Sequence, residues 1–192
     1  MVMNRREVVQ RLIDARNGAL VVTGLGSPSY DVHAAGDDDA NYYLWGAMGG
    51  AALVGFGIAQ AQPGRRVMVI TGDGEQLMAM GALATIAIAN PTNLDIVVLD
   101  NEHFGETGMQ TSHTGRGIEL AKVAWACGFP VTREPRTRED VDDMIDEMKE
   151  PAAGPRMFVV KIDAEDLPRS LPLRDAVHIK NRFRSHLGHQ PC

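Results

Sequence analysis

The 192 residues are 44% hydrophobic and 23% charged. That is the balance of a globular chain with one well-buried core, and it excludes a disordered tail protein, a collagen-like fibre and a disulfide scaffold. Lysine and arginine number 19 against 25 aspartate and glutamate, a net charge of −6, so a broad nucleic-acid face is not expected, whereas small anions held by backbone N–H groups are allowed.

The start, MVMNRREVVQRLIDAR, is charged and amphipathic, without the apolar stretch of a secretory signal. No apolar run is of bilayer length. Cys127 lies in an apolar run and Cys192 is the last residue, so no structural disulfide is expected and a reducing cytoplasm fits.

In chain order, residues 5–15 have helical periodicity, and residues 19–23 (ALVVT) read as a short buried strand. Helix composition over 48–62 leads to a second strand at 67–71 (VMVIT), and 76–89 to a third at 94–99 (LDIVVL). Helices follow at 118–127 and 138–149. In the latter, Thr137 is the expected N-cap, and Asp142, Asp143, Asp146 and Glu147 form a solvated face around Val141, Met144, Ile145 and Met148. Residues 150–155 make a loop too short to separate domains, 157–162 (MFVVKI) a fourth strand, and the basic tail from Ala164 ends in a short helix with frayed last residues. Near-continuous Val/Ile runs suit parallel strands covered on both faces. The alternation therefore predicts a doubly wound, mainly parallel α/β sheet with helices on both faces, one domain over 1–192, with ligands at the carboxyl ends of the strands.

The sharpest local feature is ITGDGEQ, residues 70–76, where a strand ends in Gly72-Asp73-Gly74 and runs into a helix. Glycines let the backbone approach a ligand, the helix start offers N–H groups to an anion, and Asp73 beside them suits a divalent cation bridging carboxylate and phosphate. Taken alone, Asp73 could equally be a helix cap. The next strand ends in Asp100-Asn101, followed by Glu102-His103-Phe104-Gly105. One helix plus one strand separates Asp73 from Asn101, which puts both on neighbouring strand tips at one sheet edge. TGLGSPS, residues 23–29, also follows a strand, a place from which it can line the phosphate or substrate side. It lacks the full G-x-G-x-x-G pattern and a helix directly after it, so it is a poor dinucleotide site.

The GDG…N pair resembles the thiamin diphosphate motif of the pyrophosphate-binding (PP) domain in thiamin-dependent enzymes. LWGAMG, residues 44–49, resembles the segment that holds the cofactor's aminopyrimidine in 2-oxo acid decarboxylases, and the likeness runs from about residue 23 to about 114. The resemblance implies the same fold, with thiamin diphosphate and Mg2+ as cofactors. It makes Asp73, Asn101 and the main-chain oxygen of His103 the metal ligands. Gly74 and Glu75 would give backbone N–H groups to the diphosphate, and the Gly46 carbonyl would accept the cofactor's amino group. Met48, which by itself would read as core, would be the bulky residue under the bent cofactor; Gly72, Phe104 and Gly105 complete the cofactor-binding set.

Full-length thiamin decarboxylases also carry a pyrimidine-binding (PYR) domain whose glutamate activates the cofactor. The resembling part already uses nearly all of this chain, so a PYR-type α subunit is expected to supply that glutamate in a hetero-oligomer. Within the superfamily, LDNEHFGETGMQTSHT and the RFRSHL tail look most like the sulfopyruvate and phosphonopyruvate decarboxylases. These act on small anionic 2-oxo acids, giving the aldehyde and CO2. His113 is the catalytic candidate, as a proton relay or carboxylate-orienting group, or else simply a surface histidine. Glu106, Gln110 and His33 are weaker candidates, and Arg116 is the basic residue nearest the motif for the substrate's distal acid. A split acetolactate synthase-like enzyme on plain 2-oxo acids and a non-catalytic cofactor-binding subunit remain the alternatives.

Overall fold

Along the strands the side chains alternate between two cores. Val21, Met68, Ile70, Val97, Leu99, Phe158 and Val160 point to one face, and Leu20, Val22, Val67, Val69, Ile96, Val98, Met157 and Val159 to the other. A strand with apolar residues on both faces must be covered twice, and this sheet is. The structure is a computed structural model that describes residues 3–190; Cys192 lies outside them.

The elements in order are α1 (Arg5–Asp14), β1 (Leu20–Thr23), α2 (Ser27–Ala35), β2 (Asn41–Tyr43), α3 (Ala51–Ala61), β3 (Val67–Gly72), α4 (Asp73–Met78), α5 (Met80–Ala89), β4 (Leu94–Asp100), β5 (His103–Phe104), β6 (Gln110–Thr111), α6 (Leu120–Cys127), β7 (Val131–Arg133), α7 (Arg138–Lys149), β8 (Arg156–Lys161) and α8 (Ala176–His186). Six strands pair in parallel in the order β2-β1-β3-β4-β8-β7, and β5 and β6 form a separate antiparallel hairpin. Helices α1, α2 and α7 cover one face, and α3, α5 and α6 the other. Among the described residues no helix is long and apolar enough to cross a membrane.

The doubly wound parallel sheet is as the sequence predicts, and α7 carries the Thr137 cap, strengthened into a capping box by Asp140. The helix read over 48–62 starts only at Ala51, because Gly46 (φ +69°) and Gly49 (φ +89°) hold residues 44–49 in a turn. Ala51, Ala52, Gly55 and Ala59 of α3 face the sheet, with Val69 so close that a Cβ at Gly55 would lie 2.2 Å from its Cγ2. The helix read over 76–89 is two helices, broken at Ala79.

One expectation is overturned: a helix does open here, with α2 starting at Ser27 inside the TGLGSPS segment. Gly26 turns the chain at φ +75° and Pro28 stands in the helix's first turn, where its missing N–H costs nothing. The absent third glycine, with Ser29 in its place, still argues against a dinucleotide site.

Chain order reverses beside β1: β2 lies to one side of it and β3 to the other. In an open parallel sheet such a switch point leaves a crevice outside the carboxyl ends of the strands. The loop after β1 and the start of α4 flank it.

Candidate active site

Gly24, the first residue after β1, has no room for a side chain: a Cβ there would lie 2.1 Å from Glu75 Oε2. Glu75 is buried, and its carboxylate accepts the Leu25 N–H (2.7 Å), the Gly49 N–H (3.2 Å) and the Ala51 N–H (3.3 Å). One anion thus ties the loop after β1, the 44–49 turn and the start of α3 to α4. Burial pushes its carboxyl above the usual range, and the backbone donors only partly offset that.

Asp73 opens α4 and is 2% exposed. Its Oδ2 accepts a short hydrogen bond from Ser112 Oγ, and Thr114 Oγ1 lies 3.2 Å from the same oxygen. Thr114 Oγ1 is also 2.7 Å from Oδ1 of the buried Asp100, and it has one proton to share between the two carboxylates. Burial, with the charge of Asp100 adding to it, raises the Asp73 carboxyl to about 6. Lys161 Nζ reaches Asp100 Oδ2 (2.7 Å) and Glu102 Oε1 (2.9 Å) on the far side.

Asn101 and His103 form a tight turn in which Asn101 Oδ1 accepts the His103 N–H at 3.0 Å, with Glu102 at φ +63°. The β5–β6 hairpin then returns the chain, pairing His103 with Thr111, and delivers Ser112 and Thr114 to Asp73. Phe104 lies over Gly74, where a Cβ would come within 2.8 Å of the ring and 3.7 Å of Met48 Cε. This close approach is what the second glycine of GDG permits.

These groups surround a cavity of about 200 Å3. Gly72, Asp73, Gly74, Glu75 and Met48 line one part of it, and Asn101, His103, Phe104 and Gly105 another. Of the sequence candidates, Gly46 is exposed and outside the lining. His113 is exposed, stacked edge-on to Phe104 with ring centroids 6.1 Å apart, and also outside it. Glu106 lines the cavity; Gln110, His33 and Arg116 do not. Leu25, Ser27 and Pro28 come from the 23–29 loop that the sequence offers for the phosphate or substrate side, and residues that sequence reasoning missed are Arg5, Leu99, Thr107 and Ile162. A helix that precedes the first parallel strand runs back to that strand's start, so its own first residue stands at the carboxyl edge. That signal could have placed Arg5.

The family model for the thiamine pyrophosphate enzyme, C-terminal TPP binding domain, matches residues 30–162. The chain belongs to the thiamine pyrophosphate enzymes. This TPP-binding domain is 33% identical over 150 residues to the sulfopyruvate decarboxylase subunit beta of Methanocaldococcus jannaschii, covering 78% of this chain and 77% of that one. It is 37% identical over 142 residues to the phosphonopyruvate decarboxylase of Streptomyces viridochromogenes, covering 73% of this chain but 35% of that one. In fold it matches a thiamine diphosphate-dependent 4-hydroxybenzoylformate decarboxylase from Rhodococcus jostii RHA1 with a TM-score of 0.71, at 18% identity, over 86% of this chain and 34% of that one. The chain thus spans most of a β subunit and about a third of the longer enzymes.

The cavity suits the domain's cofactor. Glycines at positions 72 and 105 leave backbone open to a diphosphate, and Asp73 is a buried carboxylate whose hydroxyl donors, Ser112 and Thr114, both lie on Oδ2. Among the described residues no group of three His, Cys, Asp or Glu side chains is placed to hold a metal. A cation here would therefore draw on Asp73, the Asn101 amide oxygen, main chain and the diphosphate itself, an all-oxygen set fitting Mg2+.

Proposed function

We propose that the chain is the cofactor-binding subunit of a two-subunit, thiamin diphosphate- and Mg2+-dependent decarboxylase for 3-sulfopyruvate or 3-phosphonopyruvate. The chain is a thiamin diphosphate-dependent decarboxylase subunit, the activity its relatives' names share. The observation that carries the finer reading is the meeting of Asp73, Asn101 and His103 on one cavity at the ends of β3 and β4. In this reading the Asp73 and Asn101 side chains and the His103 main-chain oxygen hold Mg2+. The N–H groups of Gly74 and Glu75 take the diphosphate, with Gly72 and Gly105 allowing close approach. Met48 is the bulky residue under the bent cofactor, Phe104 lines the site beside it, and the Gly46 carbonyl receives the cofactor's amino group. When bound, thiamin diphosphate supplies the electron sink that lets a 2-oxo acid lose CO2. The glutamate that activates it comes from a PYR-type partner, a division supported by the match to most of a β subunit but only a third of a one-chain relative. His113, packed on Phe104 at the outside of the cavity lining, is the candidate for orienting a carboxylate or relaying a proton.

Asp73→Ala is expected to abolish Mg2+-dependent thiamin diphosphate binding in titration calorimetry; unchanged binding sinks the metal assignment. For the substrate, the purified assembly should turn over 3-sulfopyruvate or 3-phosphonopyruvate faster than pyruvate. The reverse order removes the acidic substrates and favours a carboligase on plain 2-oxo acids.

A further inference from the structure

The lining of the cavity contains one guanidinium, and nothing in the cofactor motif accounts for it. Arg5, the first residue of α1, is 6% exposed and lines the cavity. Its Nε donates to Asp31 Oδ2 at 2.5 Å and its Nη1 to the Glu165 carbonyl at 2.8 Å. Asp31 is fully buried and also accepts Arg6 Nε at 3.1 Å. The carboxylate of Glu165 turns instead to Asn4 Nδ2, at 2.6 Å. Asp31 thus holds two guanidinium groups: Arg6, part-exposed and outside the lining, carries the surplus charge towards solvent, and Arg5 is the cation of the cavity wall.

Asp31 belongs to α2, whose first residues, Ser27 and Pro28, line the same cavity. The N-cap of α2, Gly26, has no side chain to satisfy the N–H groups of the first turn. The ion pair therefore pins a guanidinium in the cavity wall near that helix start, and a fixed guanidinium favours an anion. Glu106 lines the cavity against this helix start: a Cβ at Gly26 would lie 3.0 Å from its Oε1, and its Oε2 is 3.5 Å from Arg169. Of the other two lining carboxylates, Glu75 is tied to backbone N–H groups, and Asp73 takes Ser112 and Thr114 on Oδ2 only.

We infer that Arg5, fixed by Asp31 beside the start of α2, is the residue that receives a phosphate, phosphonate or sulfonate group in this cavity. The inference rests on the cavity being the cofactor and substrate site proposed above. Its planar, fixed fork suits a tetrahedral oxyanion better than a mobile lysine would. The group can come from the terminal phosphate of the cofactor or from the distal acid of the substrate, and binding measurements separate the two.

The experiment is titration calorimetry on the full chain, in the assembly in which it is purified. Wild type and Arg5→Met are titrated with thiamin diphosphate and Mg2+, and then, loaded with cofactor, with 3-sulfopyruvate and with pyruvate. A loss of about tenfold or more in thiamin diphosphate affinity assigns Arg5 to the cofactor's phosphate. Unchanged cofactor affinity, with a similar loss for 3-sulfopyruvate and none for pyruvate, assigns it to the substrate's distal acid. Equal losses for the two keto acids, or no loss for any ligand, overturn the inference. Because Arg5→Met leaves Asp31 with Arg6 alone, the double variant Arg5→Met/Asp31→Asn is measured beside it. That variant removes the buried pair together, so the same comparisons hold if the single variant fails to fold. If the wild type itself does not bind thiamin diphosphate, the cofactor reading fails first and Arg5 loses its ligand with it.

Discussion

Two glycines of the same chain make opposite demands on space. Gly24 sits against the carboxylate that holds the site together, and an added methyl would overlap Glu75 Oε2. Gly57, within α3, has nothing within 4 Å of the position a Cβ would take. Gly24→Ala is expected to destabilise the fold by about 1–3 kcal/mol and to weaken cofactor binding, as overpacking forces the loop from its place. Gly57→Ala is expected to stabilise it by about 0.5–1 kcal/mol through helix propensity, with cofactor binding unchanged. Urea midpoints and calorimetry on the two variants check both. At this scale the sequence announced Asp73, Asn101 and the glycines between them, because a cation and a diphosphate need those residue types at strand ends. The work of the Glu75 side chain was not legible: its three partners are backbone groups, which carry no signature in the residues that own them.

The secondary elements are joined by charge at both edges of the sheet. At the edge remote from the site, Arg156 of β8 makes two bonds to the buried Asp95 of β4, at 2.5 and 3.2 Å, and also reaches the carbonyls of Glu147, Met148 and Glu150 at the end of α7. Arg156→Met leaves Asp95 with Arg66 alone. It is expected to cost about 3–5 kcal/mol in a guanidinium denaturation while leaving cofactor affinity intact. Helix α8 docks through Ile179 and Phe183 and through Arg182, whose guanidinium bonds both oxygens of Asp37 at 2.7 and 2.8 Å. Burial pushes the Asp37 carboxyl up, but the bonds from Arg182 and Tyr43 outweigh it and hold the group below its usual value. A carboxyl depressed in the folded state stabilises it fully above its unfolded value near 4, and loses that contribution as the pH falls through the lower folded value. The gap in unfolding midpoint between wild type and Asp37→Asn should therefore be present at pH 7 and close below about pH 4; a gap independent of pH contradicts the pairing. The docked helix was readable only as "a short helix in a basic tail", since its anchor lies in the loop before β2, far along the chain.

At the scale of the whole molecule the site exists because the strand order reverses beside β1, so that loops from β1, β3 and β4 and the first residue of α1 border one cavity. The proposed activity asks for a second chain. Affinity purification from native cells with Mg2+ and thiamin diphosphate, followed by mass spectrometry of the intact complex, is expected to recover a partner of PYR type. Recovery of this chain alone would move the weight to a binding module. By itself the sequence determined the parallel sheet and its two-sided cover, and with them the strand tips that carry Asp73 and Asn101, because apolar periodicity and glycine placement are local properties. It did not announce β2, β7 or α2. The two strands are three residues each, and α2 starts on a glycine-proline turn with little periodic pattern. Only the tertiary structure brought Arg5 to the cavity and gave it Asp31, Ser112 to Asp73, and Lys161 to Asp100. Each of these meetings joins residues distant in sequence, and which charges share a low-dielectric wall is settled by strand order and helix direction, not by the spacing of residues along the chain.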